Sequence, residues 1–233
     1  MRRAALVIAW LFLAGWAGTA QARPPVVVEL FTSQGCSSCV AADKLLDQLA
    51  DQPGVLALTL AVDYWDYLGW SDTFAKPEFT ARQRAYMQRL SQREVYTPQI
   101  VVNGVSEAAG ADRHKIEALI RQAQKGKLAA PTIRLLRHAK VWVGPSRAFK
   151  GAAELWLLRY DPRTQEVAVK RGDNRGQTLV QRNVVRDLVR LGSWRGKART
   201  YAVPAPAPED EMLKTCILLQ AADGGRILDV LQK

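Results

Sequence analysis

The spacing of apolar positions divides the chain into two parts with different patterns. In the first part, β-branched apolar runs of strand length occupy Pro25–Phe31, Val55–Val62 and Gln99–Val102. Stripes of apolar residues three and four positions apart lie between these runs, over Val40–Ala50 and residues 75–91. Runs and stripes of these lengths predict buried strands that alternate with amphipathic helices.

A hairpin and a last helix complete this first part. Asn103-Gly104 is a strong signal for a tight turn between two strands. Asp112 is suited to cap the N-terminus of a helix whose apolar face includes Ile116 and Ile120. The predicted order is therefore strand, helix, strand, helix, strand, strand, helix, which indicates an α/β domain over residues 23–128.

After Pro131 the pattern changes to short extended segments separated by turn residues such as Asp161-Pro162 and Gly172-Asp173-Asn174. Residues 183–191 fit a helix or a strand equally well. The extended segments are Ile133–Leu136, Val141–Val143, Glu154–Tyr160, Glu166–Lys170, Thr178–Val180, Thr200–Val203, Leu213–Gln220 and Arg226–Leu231. Spacing of this kind predicts a small all-β, sandwich-like domain over residues 129–233.

The N-terminus has the three parts of a secretory signal peptide over residues 1–22. A basic start, Arg2-Arg3, precedes the apolar run Ala4–Ala17, and Ala20-Gln21-Ala22 supplies a small-x-small cleavage pattern. A membrane anchor is the alternative, but the run is shorter than the roughly 20 apolar residues that a spanning helix needs. We therefore expect export to the periplasm or secretion, with no membrane-spanning segment in the mature chain.

Charge changes this interpretation little. The 233 residues carry a formal net charge of +11, which is compatible with nucleic-acid binding. An exported protein meets little nucleic acid, so we expect no such partner. The basic surface then faces anionic lipid, cell-wall polymer or an acidic partner, or serves solubility alone.

The chemistry-bearing motif is Cys36-Ser37-Ser38-Cys39, placed where the first predicted strand passes into the first helix. A cysteine at a helix N-terminus lies where the helix dipole and unpaired amides stabilise a thiolate, the attacking species in disulfide exchange. The second cysteine lies one turn further along the helix and can attack the mixed disulfide. We therefore predict that Cys36 is the nucleophile and Cys39 the resolving thiol.

Two other interpretations of the pair stay open. A zinc site needs further ligands at compatible spacing, and the remaining candidates His114, His138 and Cys216 are isolated, so we expect no metal and no cofactor. A purely structural disulfide is the other alternative, although it closes a loop too short to stabilise the fold much.

Four ordered motifs resemble a known family. They are ELFTSQGCSSC at residues 29–39, VDYWDYLGW at 62–70, YTPQ at 96–99 and VNG at 102–104, and RYD at 159–161 and KRGDN at 170–174 extend the likeness. The chain resembles the secreted bacterial family called domain of unknown function 1223. The resemblance implies a thioredoxin-like domain followed by a β-rich part, and it implies no established substrate. Val40 stands where the family usually has a proline.

The thioredoxin-like resemblance gives Thr97-Pro98 a role. In such folds a cis-proline opens the third strand of the sheet and lies against the C-x-x-C. The residue before it offers backbone groups to an incoming peptide in strand-like pairing. We therefore expect Thr97 and Pro98 to bind substrate beside Cys36.

Three further features are candidates for the site. Glu29 lies seven residues before Cys36, close to the position of a buried acid in thioredoxins, so it is a possible proton relay unless it faces the other side of the strand. Trp65 and Trp70 belong to an aromatic loop that follows the second strand. This loop and the loop that carries Cys36 both follow the carboxyl ends of strands that we expect to be parallel, so the tryptophans should lie beside the cysteines. There they either bind an apolar peptide or form a small satellite core.

Two remaining features have simpler interpretations. Cys216 lies in an apolar run and is expected to be a buried, unpaired thiol. Arg171, Asp173 and Arg175 form a charged turn that we interpret as a solvated hairpin.

The sequence thus predicts an exported thioredoxin-like thiol–disulfide oxidoreductase. Its substrates would be proteins or small thiols, and an unknown redox partner would regenerate it. The alternative is a redox-inactive envelope binding module with a structural disulfide.

Overall fold

The computed structural model describes residues 23–126, 131–208 and 211–233. The predicted signal peptide, residues 1–22, and the predicted domain boundary at 128/129 lie outside the described residues. Within the described residues the chain is a mixed α/β protein with one large mixed sheet. No helix in these ranges is long and apolar enough to cross a membrane.

The first part has the predicted order of strands and helices. Its elements are β1 (Val26–Thr32), α1 (Val40–Ala50), β2 (Val55–Ala61), α2 (Pro77–Arg89), β3 (Gln99–Val102), β4 (Ser106–Ala109) and α3 (Arg113–Lys125). Proline at the first position of α2 needs no amide hydrogen bond there, which suits a helix start. The Asp112 side chain accepts a hydrogen bond from the Lys115 amide, so the predicted cap of α3 is confirmed.

The second part consists of strands, including the stretch that fitted helix and strand equally. These strands are β5 (Ile133–Leu136), β6 (Lys140–Val143), β7 (Ala153–Asp161), β8 (Gln165–Ala168), β9 (Thr178–Gln181), β10 (Val184–Trp194), β11 (Arg199–Ala202), β12 (Lys214–Ala221) and β13 (Ile227–Gln232). The ambiguous residues 183–191 belong mostly to β10.

Strands from both parts share the large sheet. Its order is β13-β12-β7-β10-β2-β1-β3-β4, while β11-β6-β5 and β8-β9 form separate small sheets. The junction is the parallel pairing of Val184 with Thr59, supported by the Asn183 side chain, which donates to the Ala57 carbonyl at 2.8 Å. The division into two domains stays a prediction, and the sheet is continuous between the two parts.

Side-chain alternation along β1 sends its residues to two separate cores. Val28 and Leu30 pack with α1 and α3, whereas Val27 and Phe31 pack with Phe79 and Tyr86 of α2. A third core lies between the three-stranded sheet and strands β7 and β12. Every residue of β1 is buried, so a polar residue on this strand must find its partners inside the protein.

Candidate functional site

The cysteine pair lies at the predicted handover from strand to helix. After β1, a turn leads to Cys36, the short 3₁₀ helix Ser37–Cys39 follows, and α1 begins at Val40. Cys36 and Cys39 form a disulfide with their Cα atoms 5.4 Å apart. The positive end of the α1 dipole therefore lies at this pair, where it favours a thiolate after reduction.

A chain of hydrogen bonds leads to the sulfur of Cys36. The Thr97 hydroxyl donates to Cys36 Sγ at 3.3 Å, and the Trp65 indole N–H donates to the Thr97 oxygen at 2.7 Å. Because that oxygen accepts from the indole, its own proton is left for the sulfur. Ser38 Oγ lies 3.4 Å from the same sulfur. Such donors stabilise the charged form of a thiol and lower its pKa.

The proline loop lies against the cysteine helix. The Thr97–Pro98 peptide bond is cis, as predicted, and Pro98 is buried directly before β3. Gly110 lies in the narrow gap between this loop and α1. A Cβ atom added at Gly110 would lie 2.7 Å from the Cβ of Ala42 and 2.8 Å from that of Pro98. Only glycine therefore allows α1 and the proline loop to approach this closely.

The aromatic loop also lies beside the cysteines, as expected from the strand order. The Trp70 indole N–H donates to Gln34 Oε1 at 3.0 Å, and the backbone N–H of Gln34 donates to Asp72 Oδ2 at 2.7 Å. Trp65 and Trp70 are half-buried and their indole N–H groups are both engaged inside the protein. The structure thus brings them to the site with Thr97 and Pro98, while their role in binding substrate stays a prediction.

Asn174 is a site residue that sequence reasoning missed. Its fully buried side chain donates 3.0 Å hydrogen bonds to the backbone carbonyls of both Gln34 and Cys36. It comes from the turn between β8 and β9, whose charged residues Arg171, Asp173 and Arg175 are exposed. The available signal was the KRGDN motif, in which Asn174 is the polar residue without charge.

The two sulfurs are enclosed by these neighbours. Cys36 is 1% exposed and Cys39 is fully buried, whereas Ser37 and Ser38 between them are exposed. A substrate therefore reaches Cys36 only when the side chains around it move aside.

The expectation that Glu29 relays protons to the pair is corrected by the structure. Glu29 has the same alternation as Val27, so it faces α2, on the opposite side of the sheet from α1. Arg82 donates to its two oxygens, at 2.6 Å and 3.1 Å, and the Tyr86 hydroxyl donates to it as well. The offset of one residue from the thioredoxin position reverses the side to which the carboxylate points. Glu29 is thus the anion of a buried ion pair.

Cys216 lies near this ion pair and has no disulfide partner, as predicted. Burial, assisted by the negative charge of Glu29, raises the pKa of its thiol far above the ordinary value. A thiol held in its neutral form is a poor nucleophile.

A different buried acid lies one helical turn after Cys39. Asp43 is 4% exposed, and both of its carboxylate oxygens lack a hydrogen-bond partner among the described residues. Burial raises its pKa from 3.8 to about 7; the neighbouring side chains of Thr32 and Gln181 lower it, and the charge of Asp72 raises it further. The signal in the sequence was an acid on the apolar face that also carries Cys39 and Leu46.

The described residues hold no group of three or more His, Cys, Asp or Glu side chains arranged to bind a metal ion. His114 is exposed on α3, and His138 lies in the turn between β5 and β6. The described residues bring to the site the two cysteines and the hydrogen-bonding and acidic groups around them.

Comparisons with known proteins place the chain in a family. A family model described as "Protein of unknown function (DUF1223)" matches residues 27–220. The crystal structure of protein AGR_C_4864 from Agrobacterium tumefaciens is 33% identical, with 91% of this chain and 95% of that one covered and a TM-score of 0.70. HBP35 of Porphyromonas gingivalis is 13% identical over 90% of this chain and 74% of its own, with a TM-score of 0.60, and shares the fold alone. A search of curated proteins returned no match. The family model spans most of the chain and the Agrobacterium protein is similar over nearly its full length, so this chain belongs to the DUF1223 family.

Proposed function

We propose that this protein is an exported thiol–disulfide oxidoreductase with a thioredoxin-like core. The observation that carries the proposal is the contact between Cys36 and Thr97. A cysteine at a helix N-terminus receives a hydrogen bond from the residue that precedes a cis-proline. The strand, the C-x-x-C and the helix place Cys36 at a helix N-terminus, where its thiolate is stabilised, and this placement supports the proposal.

The proposed reaction proceeds in two exchanges. The Cys36 thiolate attacks one sulfur of a substrate disulfide, and the other substrate sulfur leaves as a thiolate. The Cys39 thiolate then attacks the Cys36 sulfur, so the Cys36–Cys39 disulfide forms and the second substrate sulfur is released. Two electrons pass from the protein to the substrate. The same steps in reverse oxidise a substrate dithiol.

Substrate would bind across the loop that contains Thr97. The backbone of the residue before a cis-proline can pair with an extended peptide, and Trp65 and Trp70 offer apolar surface next to it. Because Cys36 is nearly buried, binding must displace part of this aromatic loop. A small thiol such as glutathione needs a smaller displacement than a folded protein does.

A second function is favoured by the enclosure of the sulfurs. The Asn174 side chain donates to the Cys36 carbonyl and so connects the Cys36 loop to the second part of the chain. A disulfide that only holds this loop in place would agree with such a contact. In that case the protein is a redox-inactive envelope binding module.

Trapping of mixed disulfides tests the proposed function. In Cys39→Ser, Cys36 still attacks but no thiol resolves the product, so we expect adducts linked through Cys36 in the exported protein. The matched variant Cys36→Ser should give none, because Cys39 is fully buried. Mass spectrometry of tryptic peptides locates the link. Absence of adducts in both variants would favour the binding module.

A further inference from the structure

We propose that Asp43 accepts the proton of the Cys39 thiol and thereby generates the thiolate that completes the exchange. The inference rests on the proposed function, because only a protein that forms mixed disulfides needs a resolving thiolate. It assigns to Asp43 the role that the sequence suggested for Glu29.

The geometry of α1 brings the two groups to one face. Cys39 has helical backbone angles and α1 continues from Val40 without interruption. Residues four apart on a helix have their Cβ atoms about 5–6 Å from each other. The Asp43 carboxyl therefore lies one turn from the Cys39 sulfur, and both side chains are buried. Bulk water cannot easily take the proton of a thiol in such a place.

The surroundings of Asp43 leave it free to exchange a proton. A buried carboxylate is normally paired or fully hydrogen-bonded. Here the Thr32 and Gln181 side chains lie beside it and lower its pKa, but no contact among the described residues meets both the distance and the angle of a hydrogen bond to either carboxylate oxygen. Burial outweighs these two neighbours, which favour the charged form, so the carboxyl remains able to take up a proton.

The charges around Asp43 point in the same direction. Asp72 is the charged group whose field raises the pKa of Asp43, while β1 and β9 present the neutral groups Thr32 and Gln181. The cation Arg182 forms ion pairs with Asp47 and Asp51, further along α1. A pKa of about 7 leaves Asp43 partly ionised at neutral pH, which suits a general base in the periplasm.

The proton balance of the step is complete. The Asp43 carboxylate takes the proton of Cys39, and the resulting thiolate attacks the Cys36 sulfur of the mixed disulfide. The bond between Cys36 and the substrate sulfur breaks, and its electron pair leaves with the substrate thiolate. That thiolate takes up a proton from solvent, and Asp43 returns its own proton to the Cys39 thiolate when a thiol of the redox partner next reduces the Cys36–Cys39 disulfide.

Rapid mixing of the reduced protein with glutathione disulfide separates the two exchanges. The reaction is run at pH values between 5.5 and 8.5, roughly one and a half units either side of the operating pKa, and samples are then quenched in acid. Mass spectrometry then follows the Cys36–glutathione adduct as it forms and decays. Asp43→Asn is the test variant. Asp47→Asn, the same change at a half-exposed position on the same helix, is the matched control.

We expect Asp43→Asn to form the adduct at the wild-type rate but to resolve it on the order of 100-fold more slowly at pH 7, the scale of general-base catalysis. The wild-type decay should rise with an inflection near pH 7 that the variant lacks, and Asp47→Asn should match wild type. An equal decay rate and pH profile in Asp43→Asn would overturn the role of Asp43. Absence of any adduct or intramolecular disulfide in wild type would instead overturn the proposed function.

A measurement on the unmodified protein guards against misfolding of the variant. NMR titration of the Asp43 carboxyl carbon is carried out on the oxidised and on the reduced protein. If Asp43 exchanges its proton with Cys39, its titration must change when Cys39 becomes a thiol, because two neighbouring groups that share a proton titrate together. Identical titration curves in the two redox states would contradict the proposal.

Discussion

Two buried acids on opposite faces of one sheet have opposite electrostatic surroundings. Glu29 faces α2, where Arg82 and Tyr86 satisfy both of its oxygens. Asp43 belongs to α1, which packs on the other face of the sheet, and neither of its carboxylate oxygens has a hydrogen-bond partner of good distance and angle among the described residues. Burial alone therefore does not make an acid a proton carrier. A carboxylate that is fully paired holds the fold together, whereas an unpaired one is free to titrate.

Loss of the partner of Glu29 should have the largest effect on stability. Arg82→Met keeps the apolar stem but leaves a buried charge unpaired, so we expect the free energy of unfolding to fall by about 3–5 kcal/mol in urea titrations. Arg190→Met removes an exposed partner of Glu154 and should cost about 1 kcal/mol or less. The double variant Glu29→Gln with Arg82→Met should recover much of the loss, because no buried charge remains. A cost for Arg82→Met no larger than that for Arg190→Met would refute the ion pair as a structural element.

Asp43 should destabilise the fold at neutral and alkaline pH. Its pKa is 3.8 ordinarily and about 7 in the folded protein, so the folded state binds the proton more tightly than the unfolded state does. Stability therefore falls as the pH rises from about 4 to about 7 and changes no further above that range. The difference between these two pKa values lowers the free energy of unfolding by at most about 4 kcal/mol.

Asp43→Asn removes this pH dependence. Urea unfolding at pH 8 should show the variant more stable than wild type by about 2–4 kcal/mol, with a much smaller difference at pH 5. Asp47→Asn should follow the wild-type pH dependence. If Asp43→Asn loses as much stability between pH 5 and pH 8 as wild type, then another titrating group causes the pH dependence.

A smaller effect is expected from the hydrogen bond to Cys36. Thr97→Val keeps the shape of the side chain but removes the donor to the sulfur. A hydrogen bond to a charged group contributes about 1.5–3 kcal/mol, so the pKa of the Cys36 thiol should rise by about one to two units. The ultraviolet absorbance of the thiolate, followed against pH in the reduced protein, measures this pKa. An unchanged pKa would mean that the Thr97 hydroxyl does not contribute to stabilising the thiolate.

The sequence predicted most of what local patterns encode. The order of strands and helices over the first part followed from apolar runs such as Val55–Val62, because burial of a strand or helix face requires those spacings. The cis bond at Thr97–Pro98 and the position of Trp65 beside Cys36 followed from the resemblance and from strand order.

What escaped prediction depends on tertiary contacts. The pairing of Val184 with Thr59 joins segments far apart in the chain, and alternation within a strand does not specify which neighbour the strand will choose. Asn174 looked like part of a solvated turn because its two acceptors lie in a different part of the chain. The sequence left open which side Glu29 faces, because one residue of offset reverses the direction of a side chain on a strand.

The reduction potential of the Cys36–Cys39 pair distinguishes an exchange catalyst from a protein with a structural disulfide. Equilibration of the protein with glutathione or dithiothreitol buffers of known composition, followed by acid quench and mass spectrometry, gives the potential. Exchange catalysts fall between about −270 and −120 mV, and we expect this pair in that range. A value below about −300 mV, the range of structural disulfides, would contradict the proposed oxidoreductase function and show that the disulfide only holds the Cys36 loop in place.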